Sequence, residues 1–225
     1  MRRLINFIRL DFATIRPYLT LKVGLLYFAV CLFVTLMTHN ADTGISIALV
    51  LAMMMMSYPF ATAEKSNLDA LYATLALPRR TVVAGRYLFV LLLDLTAAVL
   101  GLLGVGLIGL FDQHTRQSLL VPEQGLVMIL LFLIFALLQS LQLPVFFKLG
   151  YSKARLASLL PFVIVMLLIS LLGGRAATAL PRLNPLLQGL LARPALTALA
   201  ALLLTALLWL LSAGFALTFY KKREF

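Results

Sequence analysis

One cysteine, one tryptophan and eight acidic residues are all that the 225 residues offer of those types. Cys31 alone permits neither an intrachain disulfide nor a cysteine-based metal site. Charged residues make up 12%, against about a quarter in a soluble domain. Hydrophobic residues reach 63%, where about 45–50% is usual, and the mean hydropathy is +1.04. Such a chain cannot cover a water-facing surface, which excludes a soluble enzyme, a disordered tail and a secreted disulfide scaffold. No Gly-x-x-x-x-Gly-Lys-[Ser/Thr] loop occurs, so the chain has no phosphate cradle and is not expected to hydrolyse ATP. No Ser-His-Asp arrangement is readable, and no lipid-phosphotransferase pattern of spaced aspartates. His39 and His114 stand without His-x-x-x-His or Glu-x-x-His spacing, so neither a catalytic nor a metal site is expected. Most of the chain belongs in lipid.

A helix needs roughly 20 apolar residues to cross the hydrocarbon core. Six segments qualify, at 21–38, 44–62, 87–111, 125–147, 156–173 and 196–219, which predicts an all-α integral membrane protein with a single transmembrane domain over 1–225. Of the 19 Lys and Arg residues, 15 fall on one side of this arrangement, in 1–22, 63–86, 148–155 and the tail; Arg116, Arg175, Arg182 and Arg193 fall on the other. The positive-inside bias places both termini in the cytoplasm. A net charge of +11 distributed in this way reports orientation, not nucleic-acid binding. The N-terminus is no signal peptide, because its basic region is too long and no small-residue cleavage site follows. In residues 1–20, Leu4, Ile5, Ile8, Phe12 and Ile15 share a helical face, and Arg2, Arg9 and Arg16 line up beside it. This predicts an interfacial amphipathic helix with its arginines toward anionic head groups, ending at the Pro17 bend, and serving either as a membrane-surface anchor alone or as a gating or partner-contact element.

The longest inner loop, 63–86, carries a short helix that Ser66 is suited to cap, with Asp69 in its first turn. Leu68, Leu71, Tyr72 and Leu75 recur at helical spacing; Pro78 ends the helix and Thr81 is suited to cap the next. The apolar stripe either packs on the protein's own inner surface or on lipid, or docks a partner. Glu64-Lys65, this helix, and then Leu77-Pro78-x-Arg80-x-x-Val83-x-x-Arg86-Tyr87 resemble the signature of short bacterial ABC exporter permeases. These are six-span membrane subunits such as those of phenol-soluble-modulin, bacteriocin and antibiotic exporters. The family usually has Lys-Tyr where this chain has Arg86-Tyr87, and often Ser where Ala76 stands. The resemblance implies that the loop is a coupling helix docking in an ATPase subunit, with Glu64, Lys65, Leu68, Leu71, Tyr72, Leu75, Pro78 and Arg80 at the contact. It also implies two ATPase copies, which carry the ATP and Mg while this chain binds no cofactor, and a homodimer or a heterodimer with a paralogous permease. The setting it implies is the bacterial cytoplasmic membrane.

Asp94 is the one ionisable residue well inside a span. It must face protein or water, or be protonated, and reads either as a cavity or coupling contact or as a packed residue bonded to a neighbouring helix. Gly101, Gly104, Gly106 and Gly109 thin the outer half of span three, and Thr197, Ala201 and Thr205 form a small stripe on span six; both invite close helix approach. Met53 to Met56 covers every helical face and reads as adaptable packing. The outer segment 174–195, with Pro181, Pro185 and Pro194 interrupting a leucine-rich run, is too short and broken to span. It reads as re-entrant or interfacial, a lid in the resembled class or a lipid-surface segment. The reading from another class is a six-span subunit capturing a vitamin-like small molecule for uptake. That would call for a polar, aromatic-rich outer pocket, which the linker 112–124 and the leucine-rich segment do not supply. The expected cargo of an exporter, by resemblance, is an amphipathic peptide, a toxin or a lipophilic drug.

Overall fold

A computed structural model describes residues 2–15, 21–68, 71–72, 78–120, 124–157 and 193–222. The expected span 156–173 and the outer segment 174–195 lie outside the described residues except at their edges, as do 69–70 and 73–77 of the inner loop. Among the described residues every regular element is helical. The order is α1 (Arg2–Ile15), α2 (Leu21–Thr38), α3 (Ala41–Met55), α4 (Tyr58–Lys65), α5 (Arg79–Gly109), α6 (Gln113–Leu120), α7 (Gln124–Ala157) and α8 (Pro194–Lys221). Among the described residues, four stretches are long and apolar enough to cross a membrane: Ala41–Lys65, Arg79–Gly109, Gln124–Arg155 and Pro194–Lys221. Lys22–Thr38 is a shorter apolar helix.

Polar residues set the helix limits. Asn40 accepts from the Asp42 N–H at 2.9 Å and so caps α3. The second expected span is two helices. The α3 ladder closes at Met56, the Ser57 hydroxyl donates to the Met54 carbonyl at 2.9 Å, and Pro59 sits in the first turn of α4, where its missing N–H costs nothing. Ser66 closes α4 and does not open the next helix, because Asn67 takes a left-handed φ of 48° directly after it. α5 begins at Arg79, with Pro78 at its N-cap position and its carbonyl accepting from the Thr81 N–H at 2.8 Å, earlier than a Thr81 cap would start it. The 112–124 linker holds the helix α6. α7 runs on past Pro144 and breaks at Gly150, whose φ of 75° and ψ of 176° favour glycine.

α3 packs chiefly on α5 and α2, and α8 chiefly on α7. Gly44 makes the closest approach possible: a Cβ there would lie 2.2 Å from Thr35 Oγ1 and 2.6 Å from Val105. Gly101 and Gly104 face Ala48 and the α2 side chains Phe28 and Leu32, as the small-residue reading expects, whereas Gly106 faces open space. Thr205 of the span-six stripe is buried.

Candidate functional site

The two ends of the helices carry different polar structures. At one end lie α1, the start of the 63–86 loop, the Gly150 break and the C-terminus of α8. This end is built from three ties.

The first is an ion pair. Arg86 Nε lies 3.0 Å from Asp11 Oδ2, with the side chains 3% and 1% exposed. It is a charge contact and not an aligned hydrogen bond. The guanidinium also lies 4.7 Å from the centroid of the Phe60 ring, which stacks on Phe146 at 5.1 Å. One turn before Asp11, Phe7 is buried on Gly85, where any Cβ would come within 2.3 Å of its ring, and meets Tyr72 edge-on at 5.3 Å. α1 therefore docks through Phe7 and Asp11 and leaves Arg9, Leu10 and Phe12 exposed. The side chains of Arg2 and Arg16 are outside the described residues.

The second tie is Glu64. Its carboxylate accepts from the N–H groups of Tyr151 (2.5 Å) and Ser152 (3.1 Å) and from the Ser152 hydroxyl. It thus caps the helical turn that restarts after Gly150, where unbonded N–H groups and the positive end of the helix favour an anion. In the third, the Arg79 guanidinium donates to the carbonyls of Tyr220 (3.3 Å) and Lys221, closing the C-terminus of α8.

Of the expected docking residues, Tyr72 is buried against Phe7 and Leu68 is half-buried against the core. Leu75 lies outside the described residues. Leu71 (44% exposed), Lys65, Pro78 and Arg80 face outward, with Arg9 and Lys153 also exposed. This end presents a partly apolar surface with a basic rim.

At the opposite end, Asp112 opens α6. Its carboxylate accepts from the Thr115 hydroxyl (2.5 Å) and N–H (2.9 Å), and His39 Nδ1 lies 3.0 Å away. The Thr115 hydroxyl first, then His39 and the Thr115 N–H, hold the carboxyl well below the usual carboxylate range. Ser118 accepts from the Ala41 N–H at 3.2 Å, and Gln124 donates to Asp42, which binds α6 and the start of α7 to α3.

Between the ends, Asp94 is 1% exposed, and Gln139 on α7 donates to its Oδ1 at 2.7 Å. An uncompensated charge there would cost about 2.5–3.5 kcal/mol on insertion scales. Tyr87 and Ser212 share a 2.6 Å hydrogen bond, Ser212 donates to the Ser140 carbonyl, and Trp209 donates to the Ala136 carbonyl at 2.7 Å. These bonds join α5, α7 and α8. Beside them, a cleft of about 520 Å³ between the same helices is lined by apolar side chains including Leu88, Leu91, Phe132, Leu202 and Leu210.

Asp11, Phe60, Gln139 and Ser152 were not singled out from the sequence. Asp11 had a signal, as the only acidic residue among the first 41 in an otherwise basic segment. Gln139 did too, within the polar group Gln139, Ser140 and Gln142 that interrupts an apolar run.

Long apolar helices joined by buried polar contacts, with polar structure gathered at both ends, define a multi-pass helical membrane protein. Residues 6–221 match the family model described as ABC-2 family transporter protein, and the chain belongs to that family. It is thereby a permease subunit of an ABC transporter, from a family without an ATPase domain of its own, and membership implies an ABC ATPase as partner. No curated protein and no solved structure matches it.

Proposed function

We propose that this chain is the membrane subunit of an ATP-driven exporter in the bacterial cytoplasmic membrane. It crosses six times with both termini in the cytoplasm, and two copies, or this chain and a paralogue, enclose the translocation path. Two ATPase subunits, carrying ATP and Mg, dock on the 64–80 segment. The observation that carries this reading is the exposed Leu71, set in a basic rim on a loop end that is tied to its neighbours. Asp11–Arg86, Glu64–Ser152 and Arg79–Tyr220 link that end to α1, α5, α7 and α8. A push on the loop when the ATPases close is therefore delivered to four helices at once, the rigid-body input that alternating access requires. The outer segment 174–195 acts as the lid. An amphipathic peptide, toxin or lipophilic drug is the cargo whose chemistry suits the apolar cleft beside Trp209.

Leu71→Asp with Leu75→Asp tests the docking. Co-purification of the ATPase should be lost, with normal membrane insertion. Retained co-purification of the double variant removes the docking assignment.

A further inference from the structure

Among the described residues away from the tied end, two fully buried side-chain atoms have no hydrogen-bond partner, Asp94 Oδ2 and Gln139 Oε1. Both belong to one pair of side chains, already joined by Gln139 Nε2 donating to Asp94 Oδ1 at 2.7 Å. With Asp94 ionised, each leftover atom is an acceptor and neither can satisfy the other. A single proton on Asp94 supplies the donor that Gln139 Oε1 lacks. A carboxylic acid and a primary amide are complementary, the amide N–H donating to the acid carbonyl and the acid O–H to the amide oxygen.

Among the described residues, no cation competes for the site. The ion pairs among the described residues are Asp11–Arg86 and His39–Asp112. On α5 itself the nearest charge is Arg86, eight residues back and so about 12 Å along the axis, already held by Asp11. Tyr87 is bonded to Ser212. The charged groups on the other packed helices stand at the two polar ends: Arg9 and Asp11 on α1, Lys22 on α2, Asp42 on α3, His114 and Arg116 on α6, Lys148, Lys153 and Arg155 on α7, and Lys221 on α8.

We propose that Asp94 binds a proton in the folded protein and that Asp94 and Gln139 form a carboxylic acid–amide joint between α5 and α7. The proton is a structural ligand of this contact. With it, the apolar stretches 87–111 and 125–147 carry no charge, and the joint holds the two helices in register through two hydrogen bonds. Losing it leaves a carboxylate with one donor and opens the second bond. The assignment does not depend on cargo or on ATPase docking.

Infrared spectroscopy of the full chain in lipid vesicles at neutral pH tests it. A carboxylic-acid C=O band should be present, should move on ¹³C-aspartate labelling, and should vanish in Asp94→Asn. Gln139→Leu should keep the band but shift it upward in frequency, because the acid carbonyl loses its donor. Asp94→Asn rebuilds both bonds as an amide–amide pair and should melt with the wild type, whereas Asp94→Leu, lacking both, should melt lower. Absence of a labelled acid band from the wild type overturns the proposal. So does a band that Gln139→Leu leaves in place, a reading that stands even where Asp94→Asn fails to express.

Discussion

The ion pair between Asp11 and Arg86 shows how a single residue controls the position of an element. Both charges are out of water, so neither is tolerable without the other. Removing one partner of a buried pair costs about 3–5 kcal/mol, because the remaining charge stays desolvated. Asp11→Ala should therefore lower the melting temperature in detergent sharply and free α1 to proteolysis. The double variant Asp11→Leu, Arg86→Met should recover most of the loss, since similar volumes refill the site without charge. A double variant no better than the single one would mean that the pair matters only as packing. Gly85 poses a related steric limit. Gly85→Leu would place a side chain in the space of the Phe7 ring, so cysteine labelling of α1 at Leu10 should change rate even though both charges remain.

At the scale of elements, α6 shows what local capping adds. Asp112 accepts three contacts at the opening of a helix of eight residues, too short to persist alone in water. Its carboxyl is held below its ordinary value, so the sign is that of a carboxylate favoured as an anion when folded. The contribution is present above the ordinary aspartate range and fades as pH falls through the depressed value. Hydrogen exchange of the α6 amides should accordingly be slowest near neutrality and rise, relative to intrinsic rates, only in strong acid. Asp112→Ala should abolish that acid step while leaving α5 protected. Much at this scale was legible beforehand. The helical ranges 21–38 and 87–111 and the close approach at Gly101 and Gly104 rest on patterns within about 20 residues. The misplaced limits have local causes too: Ser66 and Thr81 both have capping chemistry, but Asn67 with a positive φ and Pro78 take the actual boundaries.

At the scale of the whole molecule, the four ends gathered around Arg86 all lie on the side to which the six-span arrangement expected from the sequence assigns 15 of the 19 basic residues. Orientation then follows from the positive-inside bias as a prediction. Single cysteines at Lys65 and Lys222 should react with an impermeant thiol reagent only after the membrane is opened, and one at His114 should react in intact cells. Cys31 is buried and gives no background. Labelling of the Lys65 position in intact cells would invert the topology and with it the docking reading. Among the described residues, little covers the most apolar stretch of α8.

What the sequence determined by itself was what depends on summed or local properties: residence in lipid, helical class, and a 63–86 segment with an apolar stripe at helical spacing. Partition into a membrane is an additive matter of apolar length, and such sums survive ignorance of the fold. The tertiary structure alone decided which polar residues meet. Asp94 reaches Gln139 across 45 positions, Glu64 reaches Ser152 across 88, and Arg79 reaches Tyr220 across 141. Before folding each of these residues has several chemically acceptable partners. Packing selects one because a buried polar group must be satisfied where the helix geometry places it, and nothing in local spacing carries that information.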